Sequence, residues 1–169
     1  MKLTQFEQSG IILETDKGFK LAIDIAGMTP MEKLEGMTSP DAMLVSHIHG
    51  DHFSVPHISK LAPKTLYLNQ ECIDALGKEN ISPEVVKVKV GDSINIDDIN
   101  VQFFDVDHGP NATLKPKENF GLLIEADGER IYFAGDMYYP SGIDVSDLEV
   151  DIALLPVGGH YTFGPQEAM

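Results

Sequence analysis

Short apolar runs separated by turn residues fill most of the chain. Several of them alternate apolar and polar residues, as strands with one exposed face do, and the clearest is the Val-Val-Lys-Val-Lys-Val run at 85–90. An Asp127-Gly128 pair between two such runs predicts a tight hairpin. The predicted strands are residues 9–15, 19–26, 42–46, 65–68, 85–90, 93–96, 99–106, 121–126, 130–134 and 152–157.

Helical patterns are few and short. Residues 55–61 and 69–76 form candidate helices, because proline or glycine follows each of them. The segment 27–40 is rich in Met, Gly and Pro and predicts a loop, with one helical turn at 31–34. The run at 152–157 is almost wholly apolar, which favours a strand buried on both faces. Together these elements predict an α/β protein with two sheets' worth of strands.

No repeat, linker or low-complexity segment divides the sequence, so we predict a single domain over residues 1–169. A chain of this length can bury a sizeable core. At its end, Pro165 and Glu167 occupy positions typical of the first turn of a helix. Because a domain seldom stops on a helix that has just begun, we expect this sequence to lack the last helix and strands of its domain.

Acidic residues outnumber basic ones by 27 to 12, and the net charge is −15. Arg130 is the sole arginine, so the clustered basic side chains that nucleic-acid binding needs are missing. The acids crowd residues 92–107 and 144–151. This composition disfavours nucleic acid and anionic membranes as partners, and we expect a small-molecule substrate.

The single cysteine, Cys72, excludes an internal disulfide and a cysteine-rich zinc site. Its position near the start of a predicted helix indicates a small core residue. The first seven residues are too polar for a signal peptide. No apolar run approaches the ~18 residues of a membrane span. These features predict a cytoplasmic protein.

The densest candidate chemistry follows the third predicted strand. Residues 46–52 read Ser-His-Ile-His-Gly-Asp-His and hold three of the six histidines. On an extended loop, His47 and His49 can turn their rings toward one point, while Asp51 and His52 face a second point close by. Neutral imidazole and carboxylate are the usual ligands of Zn, Mn and Fe(II). The motif therefore predicts a metal site, in which two ions ~3.5–4 Å apart activate water.

Two further ligand candidates stand at strand ends beside glycine. His108 follows the strand at 99–106, and Asp136 follows the strand at 130–134 after Gly135. Loops at strand ends are where a scaffold places binding groups. A site for two metals needs more ligands than the first motif offers, so both residues join the candidate set.

The combined pattern resembles the metallo-β-lactamase-fold hydrolase superfamily. The resemblance is carried by the H-x-H-x-D-H motif at 47–52, by His108 and by Ala-Gly-Asp at 134–136. The stretch Leu-Pro-Val-Gly-Gly-His-Tyr-Thr-Phe-Gly-Pro at 155–165 is similar to the subgroup of metal-dependent hydrolases related to L-ascorbate-6-phosphate lactonase. The likeness extends over essentially the full chain, and none of these motifs names a substrate.

The resemblance implies a four-layer αβ/βα sandwich of the metallo-β-lactamase type. It also implies two divalent metal ions, with zinc favoured and manganese or iron as alternatives. The ligands implied for the first ion are His47, His49 and His108. The ligands implied for the second ion are Asp51, His52 and Asp136, with the last of these bridging both ions.

A few other positions bear on this reading. Asp24 matches an acidic position that supports the histidines from behind, although a plain turn residue is the alternative. Met137 stands after Asp136 where the family usually has threonine, which removes a hydroxyl near the site.

The family's last metal histidine lies on a later strand that this sequence does not reach, so we expect the second ion to bind more weakly. His160 could replace that ligand, but a structural or pocket-lining role is favoured. His57 is expected to be a surface or packing residue.

We therefore predict a metal-dependent hydrolase in which a metal-activated water attacks an ester, lactone or phosphoester. Asp51 would orient that water and take its proton. No Ser-His-Asp or Cys-His arrangement competes as nucleophile. Three alternatives remain open: a nucleic-acid phosphodiesterase, which the acidity disfavours; a non-catalytic metal-binding or interaction protein with an incomplete site; and a redox di-iron protein, in which Glu typically replaces the residue at His49.

Overall fold

The computed structural model describes residues 1–77, 79, 81–138 and 148–169. The chain divides into two compact units, Met1–Val88 and Lys89–Met169. In the described ranges, no helix has the length and apolar character needed to cross a membrane. Asp144 and Asp147, which belong to the second acidic stretch of the sequence, lie outside the described residues.

The first unit is built on a six-stranded sheet in sequence order. Its strands are β1 (Lys2–Gln5), β2 (Ile11–Glu14), β3 (Lys20–Ile23), β4 (Ala42–Leu44), β5 (Thr65–Leu68) and β6 (Glu84–Lys87). The strands β1, β2 and β3 pair antiparallel, and the pairs from β3 to β6 are parallel. A helical segment connects each parallel pair: the 3₁₀ turn Met31–Leu34, α1 (Val55–Leu61) and α2 (Gln70–Leu76).

The strands β3 and β4 lie in the middle of the sheet, and their side chains are mostly apolar and buried on both faces. All three residues of β4 are buried, and Met43 and Leu44 are completely so. The two helices add Ile58, Leu61 and Cys72 to the same apolar cluster. The complete burial of Cys72 confirms the prediction of a core residue. Removal of this apolar surface from water is the main term that stabilises the unit.

The second unit is built on a five-stranded sheet. Its strands are β7 (Ser93–Ile96), β8 (Ile99–Asp105), β9 (Phe120–Ala126), β10 (Glu129–Phe133) and β11 (Ile152–Leu154), in the order β11-β10-β9-β8-β7. The strands β7 to β10 pair antiparallel, and β11 adds parallel to β10. Asp127 and Gly128 have φ values of +51° and +81°, as the predicted tight hairpin turn requires. A short helix, α3 (Pro165–Ala168), follows later in the chain.

In each sheet, the strands that precede the candidate residues end side by side. The parallel neighbours β3 and β4 end at the same edge, and Asp24 and Ser46 follow them. The strands β8 and β10 flank β9 and both run antiparallel to it, so they end on either side of its start. His108 and Asp136 follow those two ends. Sheet topology therefore gathers the candidate residues of each unit.

Most predicted elements fall within three residues of the observed ones. The bounds of the helix at 55–61, the strand at 65–68 and the helical turn at 31–34 are confirmed. The sequence does not predict β1, because most residues of this edge strand are exposed and its apolar pattern is weak. The predicted burial of 152–157 on both faces is wrong: Ala153 is exposed, and within the described part of the chain β11 pairs with β10 alone.

Candidate metal centre

Asp24 is the centre of a buried hydrogen-bond network behind the histidine motif. Its Oδ1 accepts a hydrogen bond from the backbone N–H of Ser46 at 2.7 Å. Its Oδ2 accepts from the Ser46 hydroxyl at 2.5 Å and from His52 Nδ1 at 2.7 Å. Asp24 is completely buried and has a φ of +50°, in the left-handed region. Aspartate adopts this conformation more readily than most residues, and the supporting role of Asp24 stays a prediction.

The Ser46 hydroxyl fixes the tautomer of His47. It has a single hydrogen, which it donates to Asp24, so it can only accept from His47 Nδ1, 3.0 Å away. His47 therefore carries its proton on Nδ1 and keeps a lone pair on Nε2. The Asp24 carboxylate likewise accepts the Nδ1 proton of His52, so a neutral His52 keeps its lone pair on Nε2. A metal-binding histidine needs this arrangement, in which a partner holds the nitrogen that faces away from the ion.

The imidazole rings of the motif are close together. His47 Nε2 lies 3.1 Å from His49 Nδ1, and the ring centroids of His47 and His52 are 4.1 Å apart. His47 and His52 are completely buried, whereas His49 is half-buried. Two ligands at the usual zinc distance from one tetrahedral ion lie ~3.3 Å apart. The separation of the His47 and His49 nitrogens therefore fits a shared ion.

Asp51 is a partly exposed member of the cluster, with 28% of its side chain accessible. Its Oδ2 accepts from Gln8 Nε2 at 3.3 Å and lies 3.6 Å from His52 Nε2. The next residue after Gln8, Ser9, places its hydroxyl 3.1 Å from His52 Nδ1. Sequence reasoning missed Gln8, Ser9 and Ser46. The sole sequence signal was the hydroxyl of Ser46 between a buried strand and a histidine.

The backbone of the motif loop is held at two points. The His49 carbonyl accepts from the N–H groups of His52 and Phe53 at 2.9 and 2.7 Å. The Gly50 carbonyl accepts from the N–H of Gly27 at 3.0 Å, and a Cβ at Gly27 would lie 2.5 Å from that oxygen. This close approach leaves no room for a Cβ, so a glycine at position 27 allows the motif loop to pack against this backbone.

His57 is a buried packing residue of the first unit. Its Nε2 donates to the Thr29 carbonyl at 2.8 Å, so its Nδ1 accepts from the Ser54 hydroxyl at 2.7 Å. Both ring nitrogens are thus used within the protein. Of the two predicted roles for His57, surface residue or packing residue, packing is confirmed. His57 lies outside the candidate ligand set.

The second unit contributes the pair His108 and Asp136. His108 Nε2 lies 3.3 Å from Asp136 Oδ2, and both residues are buried. This separation also fits two ligands of one ion. The two segments that carry the pair are tied together, because the N–H of Tyr138 donates to the Asp107 carbonyl at 2.7 Å.

Residues 158–164, called here the glycine-rich segment, pack on the two segments that carry His108 and Asp136. The N–H of Phe163 donates to the Met137 carbonyl at 3.1 Å, and Asn111 Nδ2 donates to the His160 carbonyl at 2.8 Å. The side chain of His160 is exposed, and its ring contacts the Tyr161 ring with centroids 4.5 Å apart. His160 is therefore held by its backbone, which leaves its predicted pocket-lining role as a prediction.

Met137, the residue after Asp136, packs in the core of the second unit. It is 4% exposed and shares an apolar cluster with Val106, Tyr132 and Phe163. The Tyr132 hydroxyl donates to Met137 Sδ at 3.5 Å, and burial raises the pKa of Tyr132, so this donor stays protonated. Met137 is therefore an apolar core residue of this unit.

Gly109 lies against the backbone of the glycine-rich segment, and we expect Gly109→Ala to destabilise the protein. A Cβ at this position would lie 1.8 Å from the Tyr161 carbonyl oxygen, so the backbone must shift. The expected loss is on the order of 1–3 kcal/mol of unfolding free energy, the usual cost of overpacking. Denaturant unfolding would measure it. Gly158→Ala is the matched control, because its nearest neighbour is a side-chain oxygen at 3.4 Å. Equal stability of the two variants would contradict the prediction.

The described residues therefore include two sets of candidate ligand atoms, one in each unit. The set in the first unit is His47, His49, Asp51 and His52, and the set in the second unit is His108 and Asp136. Imidazole nitrogens and carboxylate oxygens suit Zn, Mn and Fe(II). These histidines and aspartates could hold metal ions.

Comparison with known proteins identifies the family. A family model described as a beta-lactamase superfamily domain matches residues 2–169. A UPF0173 protein of Pyrococcus furiosus is 33% identical over 92% of this chain and 70% of its own length. This chain belongs to the UPF0173 family, within the metallo-β-lactamase superfamily. A UPF0173 metal-dependent hydrolase of Deinococcus radiodurans is 33% identical over 76% of this chain, and the match spans 58% of that relative's length.

Solved structures agree on the fold. Igni18, a metallo hydrolase from Ignicoccus hospitalis, matches with a TM-score of 0.75 and 22% identity, over 98% of this chain and 74% of that one. The predicted α/β fold of the metallo-β-lactamase type is confirmed. The prediction of a metal-dependent hydrolase is confirmed at the level of the family. The relation to L-ascorbate-6-phosphate lactonase stays a prediction.

Proposed function

We propose that this UPF0173 protein is a hydrolase in which a metal-activated water cleaves an ester, lactone or phosphoester bond of a small molecule. The proposed ligands are His47, His49, Asp51, His52, His108 and Asp136. One observation carries the proposal: Nδ1 of both His47 and His52 is bonded within the protein, so each ring offers an Nε2 lone pair. Buried histidines with this tautomer are suited to bind a cation.

We propose two ions, divided as the family resemblance implies. The three imidazoles of His47, His49 and His108 form a donor set typical of zinc. Asp51, His52 and Asp136 form a mixed nitrogen and oxygen set, which also suits manganese or iron. When bound, such ions lower the pKa of a water toward ~7 and polarise the reacting oxygen of the substrate.

Asp51 is the proposed proton acceptor. Its carboxylate is 28% exposed, unlike the completely buried carboxylate of Asp24, so water can reach it. The Gln8 amide donates to one of its oxygens at 3.3 Å and limits its rotation. A carboxylate held in this way beside the ligand cluster can orient a water and take its proton.

The class of substrate follows from two further observations. The segment at 155–165 resembles the lactonase-related subgroup, which supports a lactone as one candidate substrate. The net charge of −15, with one arginine, opposes the broad phosphate contacts of a nucleic-acid enzyme. A small ester or lactone is therefore the favoured substrate, ahead of a nucleic acid.

Removal of the metal should abolish turnover. We expect the protein dialysed against a chelator to lose hydrolysis of chromogenic esters, lactones and phosphodiesters to the background rate. Addition of Zn²⁺ or Mn²⁺ should restore it, because the proposed nucleophile is a metal-activated water. Initial rates across the panel would measure the effect and rank the bond types. Rates that are unchanged by the chelator, with no metal found by elemental analysis, would contradict the proposal.

Elemental analysis after dialysis also distinguishes metal ligands from histidines that do not bind the metal. His47→Ala should lower the metal content after dialysis, whereas the exposed His160→Ala should retain it. A loss of metal in His160→Ala would assign that residue to the ligand set. Cleavage of single-stranded nucleic acid in preference to small esters would instead favour the phosphodiesterase alternative.

A further inference from the structure

Asn119 is a buried polar residue that lies outside the proposed ligand set. It is 3% exposed and stands directly before β9. Its side-chain Nδ2 donates to the Val106 carbonyl at 3.1 Å and to the Asp136 carbonyl at 3.0 Å. The main-chain carbonyl of Asn119 accepts a hydrogen bond from the N–H of Val106 at 3.1 Å. One amide group thus joins two segments of the second unit that are remote in sequence.

The two carbonyls belong to the segments that carry the buried pair of this unit. Val106 stands two residues before His108, at the end of β8, and Asp136 is itself a member of the pair. Because β9 runs antiparallel between β8 and β10, its first residue lies between the ends of both neighbours. Asn119 therefore spans the gap between the two strand ends.

The asparagine side chain matches the hydrogen-bonding needs of this position. Its NH₂ group supplies two donors, and both are used. An isosteric aspartate would place an acceptor against two carbonyl oxygens, and serine would supply one donor.

We propose that Asn119 is a positioning residue for metal binding: it fixes the spacing of the two backbone segments, and thereby holds His108 Nε2 3.3 Å from Asp136 Oδ2. The inference rests on the proposed function, since it assigns the pair to a metal. Asn119 does not touch the metal or the substrate. Its effect passes through the main chain of the ligand-bearing loops, as outer-shell contacts of metal sites do.

Metal binding by Asn119 variants tests this role. Asn119→Ser and Asn119→Asp should bind Zn²⁺ about 10–100-fold more weakly than the unchanged protein in competition with a chromogenic chelator. Bound Co²⁺ should show an altered visible absorption band, because the ligand geometry changes. Thermal melts would identify the variants that fold. Asn100→Asp is the matched control, since Asn100 also donates to a backbone carbonyl but stands at the opposite end of β8.

A folded Asn119 variant with unchanged Zn²⁺ affinity and Co²⁺ spectrum would overturn the inference and leave Asn119 a purely structural residue. If neither variant folds, NMR of the wild-type protein tests the proposal. Zn²⁺ should shift the side-chain NH₂ resonances of Asn119 and leave those of Asn100 in place. Resonances of Asn119 that do not move would overturn the proposal. An unchanged protein that binds no Zn²⁺ at all would instead reject the proposed function, and this inference with it.

Discussion

Replacement of Asp51 by alanine should lower turnover by at least ~10²-fold, the low end for a general acid–base residue. The substitution removes both a proposed ligand and the proposed proton acceptor. Because Asp51 lies in a loop and is partly exposed, its loss opens no core cavity, and the fold should remain intact. Steady-state rates with saturating Zn²⁺ or Mn²⁺, together with a thermal melt, would measure both parts of the prediction.

Asp74→Ala is the control for this experiment. Asp74 is an exposed aspartate of the same unit that accepts a hydrogen bond from a glutamine amide, as Asp51 does. It lies on α2 and outside the ligand set. Its replacement should leave turnover unchanged. Near-normal turnover of Asp51→Ala with added metal would rule out the role assigned to Asp51.

Asp24→Asn should weaken metal binding about 10–100-fold, the usual effect of removing an outer-shell partner. The amide can still accept the N–H of Ser46, but it presents NH₂ where Asp24 presents Oδ2. We expect His52 Nδ1 to accept from this NH₂ group, so that its proton moves to Nε2. The Ser46 hydroxyl accepts from the amide and turns its hydrogen toward His47, which reverses that tautomer as well. Both lone pairs that face the proposed metal are lost.

Zn²⁺ titration of the folded variant would measure this effect. Asp41→Asn is the control, because Asp41 also accepts a backbone N–H in the first unit, that of Lys20 at 3.0 Å. Asp41 pairs with Lys64 on the surface, and the resulting hydrogen bond lowers its pKa, so its role is in local stability. Its metal affinity should match that of the unchanged protein. An Asp24→Asn variant that binds Zn²⁺ as tightly would refute the tautomer argument.

Local sequence patterns determined the elements of this protein closely. The helix at 55–61 and the hairpin at Asp127-Gly128 were predictable because their signals lie within a few neighbouring residues. The burial of β11 was not predictable, since an apolar run does not reveal whether a strand has one neighbour or two. Whether a strand lies at the edge of a sheet depends on its pairing with strands that are distant in sequence. The composition of the strand itself does not encode that pairing.

The first part of the candidate site was also legible in the sequence. Four candidate ligands fall within residues 47–52 on one loop, so their proximity follows from chain connectivity. Their chemistry, three imidazoles and a carboxylate, predicts a cation without further information. His108 and Asp136 were identified by strand-end position, and their pairing at 3.3 Å required the antiparallel strand between them.

What the sequence by itself determined is therefore the fold class, the motif and the type of ligand. Only the tertiary structure decided how the ligands are held. Asp24 stands 22 positions from Ser46 and Gln8 stands 43 positions from Asp51, and no local pattern links them. They meet because strand pairing brings distant strand ends and turns together. Hydrogen bonds between these distant segments then fix the proton on the imidazoles of His47 and His52, and a sequence does not state where a proton resides.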